Sequence, residues 1–496
     1  MPSRNYTFLS MNTPYRRTTV AALAMMVTLA SPTRAGELSD DLTARRARVM
    51  DELGPNSMLI LMSAPRRNYS LDVHYPYRQD SNLYYLTGIA QPDTMLVLMP
   101  GNTGRRDLLF IQDSDPVQEH WNGPLLSPEE ATARSGISTI LSSSRFEPFL
   151  ASVLSSTPSA PLDERVAEAF LAALEDGTAR IALALDPRGT SDPLSPALEL
   201  GRRLEERYLG FQLVDATRIL TDLRLVKTPY ERQLLTKSLE IANEAQRAGM
   251  RAARPGAYEY EVKAAVEAVH IARGAVSWSF PSIVGSGSNT TILHSPNSDR
   301  QMRDGDLMLV DAAANYEYMS GDLTRTYPVN GRFTQAQRDI YELVLRAQQA
   351  AIAIARPGAT LKDLHEKATE VLKTGLLKLG LITDADSEQH RMWFTHSTCH
   401  YIGIDVHDVG GLNEPLRAGM AFVIEPGLYI RQAAIDGLPS TPENGDLIDA
   451  IRPAVAKYLD IGIRIEDAFI LEDSGLRRLT AAAPRTIEEI ESFLSR

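Results

Sequence analysis

Five residues able to donate to a metal ion, Asp311, Asp322, His400, Glu425 and Glu466, lie in short apolar segments where carboxylates are rare. The segments are LMLVDAAA, SGDLTRTYPV, HSTCHYIG, FVIEPGLYI and IGIRIEDAFIL. Their β-branched and aromatic residues predict strands that are mostly buried. A buried carboxylate with no partner costs on the order of several kcal/mol, so each needs a cation or a hydrogen-bond donor. Four carboxylates balance two divalent ions, and one neutral imidazole with a bridging hydroxide completes the shells. Such a pair makes a nucleophile from water at neutral pH, which is hydrolytic chemistry. The alternative is a set of strand-end acids, each satisfied by an arginine. It explains any one of the five and does poorly with all of them together.

An internal repeat predicts the elements that bring these residues together. Arg254-Pro255-Gly256-Ala257 and Arg356-Pro357-Gly358-Ala359 each lead into an amphipathic helix. Arg303-x-Gly305 precedes an apolar strand ending at Asp311, and Arg417-x-Gly419 precedes one ending at Glu425, with the same eight-residue offset. Two related halves thus place one acid each at an equivalent strand position. Asp322 and Glu466 follow on partner strands, eleven and forty-one residues later, the difference lying in a longer connection from Arg431 to Asp460. Upstream, Thr228-Pro229-Tyr230-Glu231 has the form of a capping box opening a long helix to about Ala253.

From Asn56 to Thr217 the pattern mixes strands (SMLILMSA, LYYLTGI, TMLVLMP, DLLFIQD, RIALALDP, FQLVDAT) with helices around Glu164–Leu174 and Pro196–Tyr208. That predicts an α/β domain with turns at Pro100-Gly101-Asn102 and Pro187-Arg188-Gly189, and a loop or small insertion from Ser152 to Pro161. It holds no catalytic constellation.

The whole chain has 496 residues, 44% hydrophobic and 23% charged, enough for two or three domains with full cores. Its formal net charge of -12, without a basic cluster, argues against nucleic-acid binding. The single cysteine, Cys399, excludes an intramolecular disulfide and a thiolate zinc cluster. Residues 1–35 differ in kind, with four arginines, no acid and an apolar run from Val20 to Ala30. This reads as an export signal, with Thr33 and Ala35 as small residues before a cut and Arg16-Arg17 permitting twin-arginine transport. The destination would be periplasmic or secreted, a mitochondrial presequence being the competing reading. Its removal leaves 47 basic and 63 acidic residues, a net charge near -16, and no stretch able to span a membrane.

These residues resemble the Xaa-Pro aminopeptidases (aminopeptidase P) of the pita-bread metallopeptidases. HYPYRQDSNLYYLTGIAQPDTMLVL is similar to that family's creatinase-like N-terminal domain. IVGSGSNTTILH, MRDGDLMLVDAAANYEYMSGDLTRTYPVNGRFT, GIDVHDVG, VIEPGLYI and GIRIED are similar to its catalytic domain. The resemblance implies a two-domain protein: a targeting segment over 1–35, an α/β domain over 36–225, and a catalytic domain over 226–496 whose pseudo-twofold antiparallel sheet is covered by helices.

It also implies two divalent ions. Asp311 would hold one, Asp322 and Glu466 would bridge both, and His400 and Glu425 would complete the other. Glu425 would carry the proton from water to the leaving proline nitrogen. His294 and His407 would flank the peptide, with Arg464 and Tyr429 supporting the ligands. One nitrogen among many oxygens favours Mn²⁺, with Co²⁺ or Zn²⁺ as alternatives. The expected substrates are peptides with proline in second place, the expected assembly a homodimer or homotetramer. A prolidase restricted to dipeptides, or an inactive binding module on the same fold, are the alternative readings.

Other features depart from the family or stay open. HSTCH carries Ser397 and Cys399 where small residues are common, and Cys399 beside His400 suggests sensitivity to oxidation. Phe280 replaces a tyrosine of some relatives. Trp121 reads either as a pocket residue contributed across a subunit interface or as plain core. His396 reads as a support or a structural residue, and His74, His120, His270, His365 and His390 as structural or surface residues. Gly285-Ser286-Gly287 reads as a turn beside the pocket.

Overall fold

The computed structural model describes residues 32–155, 167–185 and 193–495. Residues 1–31, and with them nearly all of the expected targeting segment, lie outside the described residues, as do Pro187-Arg188-Gly189 and positions 156–166.

After a helix over Pro32–Leu53, the N-terminal part builds one six-stranded sheet. In spatial order its strands are Thr139–Ser142, Asp107–Ile111, Met95–Leu98, Ser57–Met62, Ala179–Leu183 and Phe211–Asp215. The two pairings around Met95–Leu98 are antiparallel and the other three parallel. Helices cover both faces, so strand residues alternate between two cores rather than between core and water. Met58 and Ile60 enter one cluster, Leu59 and Leu61 the other. The second cluster continues through Tyr84, stacked on Tyr318 at 3.6 Å between ring centroids, into Leu235, Val423 and Ile470 of the C-terminal part.

Two predicted strands are not strands. LYYLTGI lies largely in a helix, Ser81–Thr87. The Asp80 carboxylate accepts from the Asn82 and Leu83 amides, and Gly88 closes the helix at φ 66°. Those caps, with burial of every residue from Leu83 to Thr87, override the β preference of two adjacent tyrosines. HSTCHYIG forms no regular strand; Tyr401 alone makes an isolated bridge, to Phe422. The expected loop at Ser152 begins inside a helix, Phe146–Leu154. Helices over Glu168–Glu175 and Pro196–Glu205 fall where helical stretches are predicted.

The C-terminal part repeats one unit. The helix Pro229–Ala252 packs beside Glu259–Ala272, and Gln335–Ile354 beside Leu361–Leu379. Thr228 caps the first through the predicted capping box. The repeated glycines have matching jobs: Gly256 and Gly358 both sit at φ 87°, a conformation that costs other residues a steric clash. Each donates its amide to the residue just before the Arg-x-Gly segment of its half, Gly256 to the Met302 carbonyl and Gly358 to that of Leu416, at 2.8 and 2.9 Å.

Each helix pair carries a long antiparallel hairpin broken in the middle. In the first, Leu307–Asp311 pairs with Thr324–Pro328, and Ala314–Tyr316 with Met319–Ser320. A two-residue turn at Glu317 and Tyr318, both at positive φ, joins its strands. In the second, Ala421–Ile424 pairs with Asp467–Glu472, and Gly427–Ile430 with Ile461–Arg464. Its connection holds the helices Gln432–Asp436 and Pro442–Tyr458, which accounts for the extra length expected from Arg431 to Asp460.

Candidate metal centre

The acids sit at the breaks. Register in the second hairpin continues across its interruption, with Ile424 opposite Asp467 and Gly427 opposite Arg464, so Glu425 faces Glu466. Pro426 has no amide hydrogen to give the ladder, and a side chain on Gly427 would collide with the Tyr429 hydroxyl. In the first hairpin Asp311 is opposite Thr324, and Asp322 lies in the gap just before that strand. Asp311 and Glu425 therefore occupy equivalent positions, as the repeat implies. The second acids do not: Thr324 stands where Glu466 stands, and Asp322 where Arg464 does.

The irregular segment around His400 runs along the edge of the strand Ala421–Ile424, accepting at the Thr398 and His400 carbonyls from the Glu425 and Val423 amides. His400 Nε2 is 3.4 Å from Asp322 Oδ2 and 3.6 Å from Glu425 Oε1. Its Nδ1–H donates to the Tyr401 carbonyl at 3.1 Å, which leaves the Nε2 lone pair facing the acids. Asp322, His400 and Glu466 each offer an atom within 4.8 Å of the others. Asp311 presents one oxygen to Arg464 Nη2, at 2.7 Å. Glu466 accepts at Oε2 from the Thr324 hydroxyl, at 3.0 Å.

Three buried oxygens, Asp311 Oδ1, Asp322 Oδ1 and Glu466 Oε1, have no hydrogen-bond partner. Burial, with the neighbouring acids adding to it, raises the Asp322 and Glu466 carboxyls well above their ordinary range. Burial likewise pushes Glu425 up to about 7, against the opposing pull of His400 and Arg464. Orphaned, mutually repelling carboxylates around one imidazole lone pair have the chemistry of a divalent-cation site. The residues present therefore fit the two ions that the five donors imply.

A hydrogen-bonded line backs the acids. Arg464 Nη1 donates to the Tyr429 hydroxyl at 2.9 Å, and His396 Nε2 lies 2.8 Å from the same oxygen. Arg464 Nε also donates to the Thr324 hydroxyl at 3.2 Å. His407 and His294 lie at the exposed rim. The His407 ring meets the edge of His400 at 4.4 Å, and burial with the nearby His400 and His294 disfavours its protonation. Phe280 is half-buried.

Several expectations need revision. Cys399 is 1% exposed, and burial first, then Glu425, pushes its thiol up, so it sits in its least oxidisable form. Trp121 is 74% exposed and is no core residue of the single chain. His365 supports the site's border: its Nδ1 pairs with Thr398 at 3.0 Å, and the Thr398 carbonyl accepts from the Glu425 amide at 2.7 Å. Thr324 also escapes a reading based on ligand types. Its signal is its place two residues after Asp322 in DLTRT.

Two broken hairpins that converge buried acids on one imidazole define a metal-dependent hydrolase. Residues 233–473 match metallopeptidase family M24, and residues 42–160 the aminopeptidase P N-terminal domain. The chain is 32% identical over 466 residues to a Xaa-Pro aminopeptidase of Haemophilus influenzae, covering 92% of this chain and 97% of that protein. It is 33% identical over 461 residues to the Xaa-Pro aminopeptidase of Escherichia coli, covering 91% and 96%. The fold matches the structure of E. coli aminopeptidase P with the inhibitor Pro-Leu at a TM-score of 0.77 and 31% identity, over 92% of this chain and 98% of that one. A Pseudomonas aeruginosa aminopeptidase PepP structure matches with a TM-score of 0.77 at 30% identity, over the same shares. The chain belongs to the Xaa-Pro aminopeptidases of metallopeptidase family M24, and it is a metallo-aminopeptidase.

Proposed function

We propose that this enzyme releases the N-terminal residue from peptides whose second residue is proline, using divalent ions held by Asp311, Asp322, His400, Glu425 and Glu466. The observation that carries the reading is the set of unpartnered buried oxygens of Asp311, Asp322 and Glu466, gathered beside the free Nε2 of His400. Bound ions would supply a nucleophilic water at neutral pH and polarise the scissile carbonyl. One nitrogen donor among carboxylates favours Mn²⁺ over Co²⁺ or Zn²⁺.

The remaining steps fall to the chain's own residues. Glu425, with one oxygen toward His400 and the other 3.9 Å from His396 Nδ1, moves the proton from water to the leaving proline nitrogen. Arg464 and Tyr429 hold Asp311 in place. His294 and His407, at the rim, hydrogen-bond the peptide and steady the tetrahedral carbonyl oxygen. The acid-rich centre draws in the substrate's ammonium group, which suits attack one residue from the amino end.

The test is hydrolysis of Xaa-Pro-Yaa and Xaa-Pro peptides after chelation and after metal return. Cleavage of the tripeptide only with metal supports the reading. Cleavage of the dipeptide alone makes the enzyme a prolidase, and cleavage of neither makes the chain a binding module.

Assembly and location complete the reading. Trp121 and Val117, 74% and 65% exposed, offer an apolar face for a homodimer or homotetramer. Residues 1–35 direct export to the periplasm or beyond; amino-terminal sequencing of the mature protein tests this. No helix among the described residues is long and apolar enough to cross a membrane.

A further inference from the structure

Two buried glutamines, Gln246 and Gln348, stand behind the two acid-bearing hairpins, each 0% exposed. Gln246, in the helix Pro229–Ala252, donates its side-chain amide to the carbonyls of Val310 and Leu323 at 3.1 and 2.8 Å. Gln348, in the helix Gln335–Ile354, donates to those of Ile424 and Ile465 at 3.0 and 3.1 Å. Val310 and Ile424 immediately precede Asp311 and Glu425, Leu323 follows Asp322, and Ile465 precedes Glu466. Both amide hydrogens of each glutamine are used, one on each strand of a hairpin, where the ladder between those strands is interrupted.

The two glutamines are counterparts. Each lies eight residues before the arginine of its RPGA motif. The carbonyl pairs correspond as well, since Leu323 and Ile465 hold matching places in the two registers. An apolar side chain would fill these positions without the burden of a buried amide. Gln246 carries that burden in full, because its Oε1 is buried with no partner. Its two donor hydrogens are what the position uses. The Gln348 Oε1 accepts from Arg485, which also pairs with Asp467 beside Glu466.

We propose that Gln246 and Gln348 are positioning residues of the metal centre, each fixing the gap between the two strands that carry the acids of its half. This rests on the reading of Asp311, Asp322, Glu425 and Glu466 as ligands. Neither glutamine touches substrate or an acid; each acts through the backbone, where shifts of about half an ångström already degrade a metal site.

The test replaces each with methionine, which is similar in length and has no donor hydrogen. Mn²⁺ binding to the chelated chain is followed by titration calorimetry, and turnover of an Xaa-Pro-Yaa peptide is measured at saturating Mn²⁺. Gln337→Met is the control, since the Gln337 amide donates to the Gly305 carbonyl at 2.8 Å, away from the site. Gln246→Met and Gln348→Met should each bind Mn²⁺ roughly tenfold more weakly and lose roughly tenfold in kcat. KM should stay within about twofold, and Gln337→Met should bind Mn²⁺ like the parent.

Folded Gln246→Met and Gln348→Met chains with the parent's Mn²⁺ affinity overturn the inference, as does an equal loss in Gln337→Met. If a methionine variant does not fold, asparagine at the same position withdraws the amide by one methylene, and the same readings decide. A parent chain that binds no Mn²⁺ overturns the ligand assignment instead.

Discussion

Arg224 donates to Asp408 at 2.6 Å, with both side chains almost fully buried, and so ties the end of the N-terminal part to the residue next to His407. The same guanidinium reaches Asp405 at 2.7 Å and Asn82 at 2.8 Å, and Lys227 holds the other oxygen of Asp408 at 2.8 Å. Arg78 and Ser81 also donate to Asp405, at 3.0 and 2.8 Å. The His407 loop is thus clamped from two N-terminal helices, Ser81–Thr87 with the Arg78 segment before it and Thr217–Leu225. The N-terminal domain, which supplies none of the five metal-donor residues, shapes the rim of the site.

Arg224→Met should therefore harm the site at a distance. Removing the partner of the buried Asp408 carboxylate, and of the partly exposed Asp405, costs about 3 kcal/mol of stability, softened where Lys227 remains. In the folded variant kcat/KM should drop roughly tenfold, while the metal content stays that of the parent. Denaturant unfolding, peptide kinetics and metal analysis check the three parts. Unchanged kinetics in a destabilised chain would confine Arg224 to a structural role.

Asp408 gives a pH dependence of known sign. Burial raises its carboxyl, but Lys227 and Arg224 together outweigh burial and hold it below the ordinary range. A depressed folded pKa adds stability above about pH 4 that is lost as pH falls further. On chelated protein, the stability of Asp408→Asn should fall less steeply between about pH 5 and 3 than that of the parent. Parallel curves would contradict the assignment.

His270 also costs stability as pH falls, over a higher stretch of the scale than Asp408. It is 3% exposed, neither ring nitrogen has a partner, and burial lowers it to about 4. The unfolded chain takes a proton near pH 6.5 that the folded chain refuses, so stability drops as pH falls from there toward 4. At pH 5 that penalty is about 2 kcal/mol, and His270→Phe should remove it. Thermal unfolding at pH 5 and pH 8 reads the difference; an equal effect at both would point to packing alone.

Glu466→Gln should separate folding from metal binding. Relieved of one buried acid, the chelated variant should be at least as stable as the chelated parent. Adding Mn²⁺ should raise the Tm of the parent and leave that of the variant nearly unmoved, with turnover abolished. Differential scanning with and without metal checks both, and an equal Mn²⁺ shift in the variant would remove Glu466 from the ligand set.

Much of this arrangement could be read from residue order. The equal offsets from Arg303 to Asp311 and from Arg417 to Glu425 reflect a real equivalence of strand positions. The breaks could not be read, because register across an interrupted ladder depends on both strands. That is why Thr324, rather than Asp322, turns out to match Glu466. LYYLTGI misleads because local caps at Asp80 and Gly88 outweigh tyrosine's preference for strands. The clamp on His407 joins Arg224 to Asp408, positions far apart in sequence with no shared motif, so only the folded chain reveals it.

Cleavage of the bond before proline should depend on ions held by Asp311, Asp322, His400, Glu425 and Glu466. The most direct test is Mn²⁺ titration of the chelated chain, with hydrolysis of an Xaa-Pro-Yaa peptide followed at each step. No cleavage is expected without metal, and activity should rise with binding to saturation at two ions per chain. Cleavage at the full rate in the chelated chain, or saturable binding that brings no cleavage, would contradict that dependence.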